Sequence, residues 1–205
     1  MSGRSAVRFT CAWAVLALVT AVPVRAQVAP DPLLDAVERG DLATARSLLQ
    51  GRKDPNTAQV DGLSALHLAA QHGFVEIAKH LVDSGADVEA TTRIEGFTPL
   101  HLAAGAADLE MVEFLLFVRA NPRVVTTASG VTPLHLAAQA LNGEGVVRAL
   151  IRRGAPVDAR ESTAGQTPLM FAAVAGRAAA VRELLSAGAD PAITPELSDL
   201  LQRMR

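Results

Sequence analysis

A nine-residue pattern occurs four times in this chain of 205 residues, and each copy begins with a glycine. The copies start at Gly62, Gly96, Gly130 and Gly165, so the steps between them are 34, 34 and 35 residues. A unit of this length cannot bury an apolar face by itself and is typical of modules that stack side by side. The spacing therefore favours an array of equivalent units over a domain with one central core.

The copies at 96–104 and 130–138 read Gly-Phe-Thr-Pro-Leu-His-Leu-Ala-Ala and Gly-Val-Thr-Pro-Leu-His-Leu-Ala-Ala. The copy at 62–70 has Ser-Ala for Thr-Pro, and the copy at 165–173 has Met-Phe for His-Leu. The motif resembles the Thr-Pro-Leu-His-x-Ala signature of the ankyrin repeat. The resemblance implies an all-α solenoid of helix–turn–helix units with short β-hairpin fingers. It places an ankyrin-repeat domain at 31–194, with repeats at 31–60, 61–94, 95–128, 129–164 and 165–194.

Within each repeat the residue order predicts an inner and an outer helix. Thr98 is placed to cap the inner helix, and Pro99 follows at the first helical position, where its missing N–H costs nothing. Asp108 then begins an outer helix with apolar residues at helical spacing. In repeats two and five we expect this helix to end at Gly85 and Gly188 in the left-handed conformation.

Two repeats depart from the pattern. Repeat three has Arg119 where the helix-ending glycine stands elsewhere, and we expect Ala120-Asn121 to make the turn because Asn tolerates positive φ. Repeat four carries one extra residue, which we place between its two helices at 140–145. This insertion is either a contact loop or simply a tolerated surface change.

The first 26 residues have the features of a secretory signal peptide. Arg4 and Arg8 precede an apolar stretch at 9–22, and Val24-Arg25-Ala26 resembles a cleavage site. The apolar stretch is shorter than the roughly 20 residues that a membrane-spanning helix needs. We therefore expect cleavage after Ala26, a short linker at 27–30, and no stable membrane insertion, with an uncleaved anchor as the alternative. The expected location is periplasmic or secreted, and the Ala- and Arg-rich composition favours a bacterial source.

The C-terminal segment 195–205 places apolar residues at helical spacing, namely Leu197, Leu200, Leu201 and Met204. We interpret this segment as a helix that caps repeat five, with a frayed tail as the alternative.

Loss of residues 1–26 would remove three arginines and the only cysteine, Cys11, and would change the net charge from −2 to −5. A chain without thiols offers no disulfide or redox chemistry. The remaining charge is acidic over 27–118 and mildly basic over 119–205, which could orient a charged partner or reflect ordinary solvated helix faces. The pI of about 6.2 and the absence of basic clusters argue against nucleic-acid binding.

His67, His101 and His135 occupy one position in successive repeats. Packed helices lie about 8–10 Å apart, whereas zinc needs its nitrogen ligands at about 2.0–2.1 Å, so we expect no shared metal ion. The resemblance implies instead that each histidine bonds to the Thr of its own motif and to nearby backbone. The chain also lacks nucleophile-elbow, P-loop and dinucleotide-binding motifs. We predict no catalytic residue, metal or cofactor, and keep a small-molecule or metal-dependent enzyme as the alternative of another class.

In ankyrin-like arrays, partners meet the finger tips and the concave face of the inner helices. The matching positions here are Leu63, Gln71, His72, Arg93, Ile94, Phe97, Val131, Gln139 and Gln166. Leu63, Phe97 and Val131 are predicted to form an exposed apolar stripe, one residue per repeat, unless they pack back onto neighbouring fingers. We therefore predict a monomer that binds another protein as an exported scaffold, tether or inhibitor. A secreted effector that engages a host protein is the alternative.

Overall fold

The computed structural model describes residues 31–195, which form ten helices. The helices are α1 (Pro32–Glu38), α2 (Leu42–Gln50), α3 (Ala65–His72), α4 (Val75–Asp83), α5 (Pro99–Gly105), α6 (Leu109–Phe117), α7 (Pro133–Gln139), α8 (Glu144–Arg152), α9 (Pro168–Val174) and α10 (Ala178–Ser186). The predicted signal peptide, the linker, and all but the first residue of the predicted capping helix lie outside the described residues.

The helices form two layers. The inner helices α1, α3, α5, α7 and α9 each pack against the next inner helix, and the outer helices α2, α4, α6, α8 and α10 do the same. Leu66, Leu100 and Leu134 occupy equivalent positions on three inner helices and are almost completely buried. The Ala-Ala pair that follows each of these leucines is also buried, which lets adjacent inner helices approach closely. The all-α repeat solenoid predicted from the motif spacing is confirmed.

The inner helices begin as the sequence predicts. Ser64, Thr98, Thr132 and Thr167 are the N-cap residues and have extended backbone conformations. Proline follows at the first helical position in α5, α7 and α9.

The outer helices end at a residue in the left-handed conformation. Gly85, Gly154 and Gly188 have φ of 93°, 87° and 90°, which confirms the prediction for repeats two and five. In repeat three Arg119 itself takes this conformation, with φ of 72°, so the expectation that Ala120-Asn121 would make the turn is wrong. The reason is the hydrogen bond that follows, in which the Ala120 amide donates to the Leu115 carbonyl at 2.9 Å, as the equivalent alanines do in repeats two, four and five. Only the residue before that alanine can reverse the chain.

The second, third and fourth fingers are turns closed by two backbone hydrogen bonds each. The amides of Thr92, Thr126 and Glu161 donate to the carbonyls of Phe97, Val131 and Gln166 at 2.9–3.0 Å, and the amides of Gly96, Gly130 and Gly165 donate to the carbonyls of Thr92, Thr126 and Glu161 at 3.0–3.2 Å. Within residues 31–195 the only β-bridge joins Ala58 and Ser64, so the predicted β-hairpins lack strands of any length. Each finger also bonds to the next through one amide: Arg93 to Asp61, Thr127 to Glu95 and Ser162 to Ser129. The fingers are therefore stacked in register with the helices.

The extra residue of repeat four lies between α7 and α8, as predicted. Residues 140–143 form the turn, while Glu144 and Gly145 already belong to α8. Asn142 has φ of 58°, and Leu141 is 67% exposed. Across residues 31–195, no helix has the length and apolar character needed to cross a bilayer.

Candidate partner-binding surface

The histidine of each full motif connects its own repeat to the next one. The Nδ1 atoms of His67, His101 and His135 lie 2.8–3.0 Å from the N-cap hydroxyl and accept from the N-cap amide at 3.2 Å. The Nε2 atoms lie 2.9–3.1 Å from the carbonyls of Phe97, Val131 and Gln166 in the following repeat. Because the amide can only donate, Nδ1 is the acceptor and Nε2 carries the proton.

Burial is the main influence on these three imidazoles. It lowers the pKa of His67 and His135 and brings the pKa of His101 to about 4, despite the hydrogen bond from each ring to a carbonyl. The rings are therefore neutral at neutral pH, with both nitrogens engaged. This confirms the expected bonds to the motif and to backbone. Among the described residues no group of three or more His, Cys, Asp or Glu side chains is arranged to hold a metal ion.

The same bonds constrain the predicted apolar stripe. The Val131 carbonyl accepts from His101, and the Val131 amide donates to the Thr126 hydroxyl at 3.0 Å. The backbone of Val131 is thus held on both sides, and the residue is only 9% exposed, so the prediction of its exposure is wrong. Leu63 and Phe97 are half-buried, and the Phe97 ring contacts His101 edge-on with the centroids 5.8 Å apart. The three residues do not form a continuous exposed stripe.

The remaining predicted contact residues lie at two places. Gln71, His72 and Gln139 are exposed at the ends of inner helices, and Arg93 and Ile94 are exposed on the second finger, where Ile94 is 75% exposed. Gln166 is half-buried at the base of the fourth finger. The structure brings Gln139 and Gln166 together on the wall of one small cavity.

That cavity has a volume of about 150 Å³ and is completed by Phe171, Val174 and Ala175. Val174 is 85% exposed, and the Phe171 ring is half-buried with its edge against His135, 5.0 Å between centroids. Phe171 and Val174 were not among the predicted contact residues. The signal was present in the sequence, because Val174 stands where the equivalent residues are Gln71, Gly105 and Gln139.

The helices beside this cavity carry no charged side chain, although the Arg177 guanidinium lies at its edge and donates to the Gln139 carbonyl at 2.9 Å. The inner helices α5, α7 and α9 have the sequences PLHLAAG, PLHLAAQ and PLMFAAV, without an acidic or basic side chain other than the buried neutral histidines. We call the exposed surface of these three helices the inner-helix groove. A surface of this composition favours apolar contacts over ion pairs.

The fourth finger is held by a carboxylate in place of the hydroxyl used in the second and third fingers. In the second and third fingers the hydroxyls of Thr92 and Thr126 accept from a finger amide at 3.0 Å. In the fourth, the Glu161 carboxylate is 6% exposed and accepts from the amides of Thr163, Ala164 and Gln166 at 2.6, 2.7 and 3.0 Å. Burial acts to raise the pKa of Glu161, but the amide hydrogen bonds together hold it below its ordinary value.

Comparison with known proteins agrees with this architecture. A family model for ankyrin repeats in three copies matches residues 33–125 and 106–194. The chain belongs to the ankyrin-repeat family. Ankyrin repeats are protein-interaction modules, and the family is generally non-enzymatic.

Curated relatives match this ankyrin-repeat protein over less than a third of its length. It is 46% identical over 59 residues to the potassium channel KOR1 of Oryza sativa subsp. japonica and 40% identical over 60 residues to alpha-latroinsectotoxin-Lt1a of Latrodectus tredecimguttatus. It is 36% identical over 57 residues to the human ankyrin repeat domain-containing protein 39. These matches cover 29%, 29% and 28% of this chain and 7%, 4% and 31% of the relatives.

Proposed function

We propose that this ankyrin-repeat protein binds an apolar segment of another protein in the inner-helix groove. The observation that carries the proposal is the exposed Val174 beside Phe171, on a surface whose helices carry no charge. Covering a valine side chain contributes about 1.5–3 kcal/mol when burial is complete. A partner that inserts an apolar side chain between Phe171 and Val174 gains this contact, while Gln139 and Gln166 supply hydrogen bonds at the edge.

We further propose that the binding takes place outside the cytoplasm, where the protein acts as a scaffold, tether or inhibitor. The support is the basic start, apolar middle and Val24-Arg25-Ala26 end of the first 26 residues. N-terminal sequencing of the protein recovered from cells is expected to begin at Gln27. Recovery in the culture medium would favour the secreted-effector version, recovery in the periplasmic fraction the scaffold version, and an intact N-terminus would contradict export by cleavage.

The groove is tested by crosslinking in place. A photo-crosslinking amino acid at Val174 is expected to join the protein to its partner, and the same amino acid at Arg182, exposed on outer helix α10 of the same repeat, is not. A crosslinked product of the same size from both positions, or from Arg182 alone, would exclude the groove as the binding surface.

The affinity of the crosslinked partner for two variants then measures the contribution of the groove. Val174→Asp is expected to weaken binding about tenfold or more, since a carboxylate replaces an apolar contact. Ala178→Asp places the same charge at the exposed start of α10, where a helix N-terminus favours it, and is expected to leave binding unchanged. Equal loss of affinity in the two variants would indicate a general charge effect.

A further inference from the structure

Phe117 is the last residue of outer helix α6, and its position is unusual among the five repeats. The last residues of the outer helices are Gln50, Asp83, Phe117, Arg152 and Ser186. Four of these are polar, as expected at a solvent-facing helix end, whereas Phe117 is 76% exposed. A single exposed apolar residue is ordinary at a protein surface, so the surroundings of Phe117 decide whether it marks a contact.

A depression adjoins this phenylalanine. It has a volume of about 460 Å³ and lies between α6 and α8, lined by Glu113, Leu116, Phe117, Ala149, Arg152 and Arg153. We call this depression the Phe117 pocket. The corresponding depression between α2 and α4 has a volume of about 190 Å³, and its only aliphatic lining residue is the buried Leu49.

The charges around the Phe117 pocket are mostly positive. The Arg152 side chain is 64% exposed, and the Glu113 carboxylate lies 4.0 Å from it, at the limit of an ion pair. The Arg153 guanidinium donates to the Leu116 carbonyl at 3.3 Å, and this bond uses one of its five N–H donors. Arg148, by contrast, is paired through two nitrogens with Glu183. The pocket therefore presents an aromatic side chain between two arginines and one carboxylate.

We propose that the Phe117 pocket binds an acidic segment of a partner protein that carries one apolar side chain. The apolar side chain packs against Phe117 and Leu116, and the flanking carboxylates lie against Arg152 and Arg153. Arginine recognises carboxylates through paired N–H donors, which gives such a contact direction as well as charge. Because the pocket lies on the outer-helix layer, this binding is separate from the inner-helix groove, and both can be occupied at once.

A displayed library of random peptides, selected on the full chain and in parallel on its Phe117→Ser variant, tests the proposal. Peptides enriched on the unaltered chain alone are expected to contain an apolar residue flanked by Asp or Glu. Synthetic copies of the enriched peptides, measured by fluorescence anisotropy, should bind Phe117→Ser and Arg152→Glu at least about tenfold more weakly. Their affinity for the unaltered chain should fall as salt is added.

Leu141→Ser is the matched control, since Leu141 is another exposed apolar residue, 67% exposed, outside the pocket. It is expected to bind the peptides as the unaltered chain does. Selection of basic or uncharged peptides, or equal binding to Phe117→Ser and the unaltered chain, would overturn the proposal. So would sedimentation that shows a dimer of the unaltered chain and a monomer of Phe117→Ser, because the occupant would then be a second copy. Arg152→Glu gives the answer by itself if Phe117→Ser does not fold.

Discussion

The buried histidines show how a single residue can join two repeats. On one side, Nδ1 of His101 accepts from the Thr98 amide at 3.2 Å, and on the other Nε2 donates to the Val131 carbonyl. A proton added at Nδ1 would point toward an amide hydrogen and break the bond to the N-cap. The neutral ring is thus the only form that keeps every bond, and the same reasoning holds for His67 and His135.

We predict that the protein loses stability as the pH falls from about 6.5 toward about 4. Burial lowers the pKa of all three histidines, to about 4 for His101. As the pH falls, the unfolded chain therefore binds protons at these histidines before the folded chain does. Their contribution is complete above pH 6.5 and decreases below it. Since a tenfold change in proton affinity corresponds to about 1.4 kcal/mol, His101 by itself accounts for about 3 kcal/mol. Urea unfolding at a series of pH values measures this decrease.

The control replaces His101 with methionine, which already occupies this position in repeat five as Met170. His101→Met lowers the free energy of unfolding at pH 7 because the Val131 carbonyl and the Thr98 amide lose their partner. Its stability should then depend less steeply on pH than that of the unaltered chain. Parallel pH curves for the two proteins would assign the acid sensitivity to other groups.

Gly143 and Gly105 offer a second prediction at the residue scale. A methyl group on Gly143 would lie 2.1 Å from the Ala137 carbonyl oxygen, whereas a methyl group on Gly105 would lie 3.9 Å from its nearest neighbour, Leu136. Gly143→Ala is therefore expected to lower the free energy of unfolding by about 1–3 kcal/mol. Gly105→Ala, at a helical position with room for the methyl, is expected to raise it by up to about 1 kcal/mol.

Thermal and urea unfolding of the two glycine variants compare the same chemical change at two backbone positions. A stable Gly143→Ala protein would mean that the turn between α7 and α8 moves away from the Ala137 carbonyl. The effect at Gly143 could not be predicted from the sequence alone. The short distance to the Ala137 carbonyl depends on the path that the extra residue of repeat four takes.

At the scale of one element, the fourth finger depends on Glu161. We predict that Glu161→Ala lowers the free energy of unfolding by about 1–3 kcal/mol, because three finger amides lose their acceptor. Glu161→Thr should lose less, since Thr92 and Thr126 hold the second and third fingers with one hydroxyl. Urea unfolding at pH 7 measures both variants.

The pH dependence separates Glu161 from the histidines. Hydrogen bonds to its carboxylate outweigh burial and lower the pKa of Glu161, so its contribution is present above pH 4.5 and decreases only below that value. The difference in stability between the unaltered chain and Glu161→Ala should stay constant from pH 7 to pH 5. A difference that narrows already near pH 6 would mean that the carboxylate does not hold the finger in this way.

The elements differ in how far their local sequence determines them. Thr98-Pro99 predicts a helix start because both the cap and the fixed φ of proline act within a few residues, and the helix begins there. Arg119 takes the left-handed turn that Ala120-Asn121 was expected to make, because the hydrogen bond from Ala120 decides which residue must reverse the chain. The backbone of Val131 is likewise fixed by a bond that its neighbours in sequence do not reveal, since the partner His101 comes 30 positions earlier. The deciding bond lies within repeat three for Arg119 and comes from the preceding repeat for Val131, and the preference of a single residue predicts neither.

At the scale of the whole molecule, each interior repeat has two neighbours, and stability should vary along the array. We predict that hydrogen exchange is slowest in α5, α6, α7 and α8 and faster in α1, α2 and α10, because stacking energy is shared between adjacent units. Mass spectrometry of peptides from each repeat measures this gradient. Uniform protection along residues 31–195 would instead indicate a single cooperative unit.

For the inner-helix groove, too, the sequence predicts one part and only the structure reveals the other. The motif spacing predicts that the inner helices lie in a row, and it places Gln139 on the exposed side. Phe171 and Val174 depart from the pattern of the other repeats, yet only the packed array brings them against Gln139 and Gln166.

Each motif histidine reaches a carbonyl 30 or 31 positions later, in the repeat that follows. A gene that gained or lost one complete unit would leave the connections between the remaining units intact, whereas a partial duplication would break the one at its junction. Such an array can therefore lengthen or shorten by whole repeats during evolution. The length of the surface that binds a partner then changes, while the spacing between equivalent contacts stays the same.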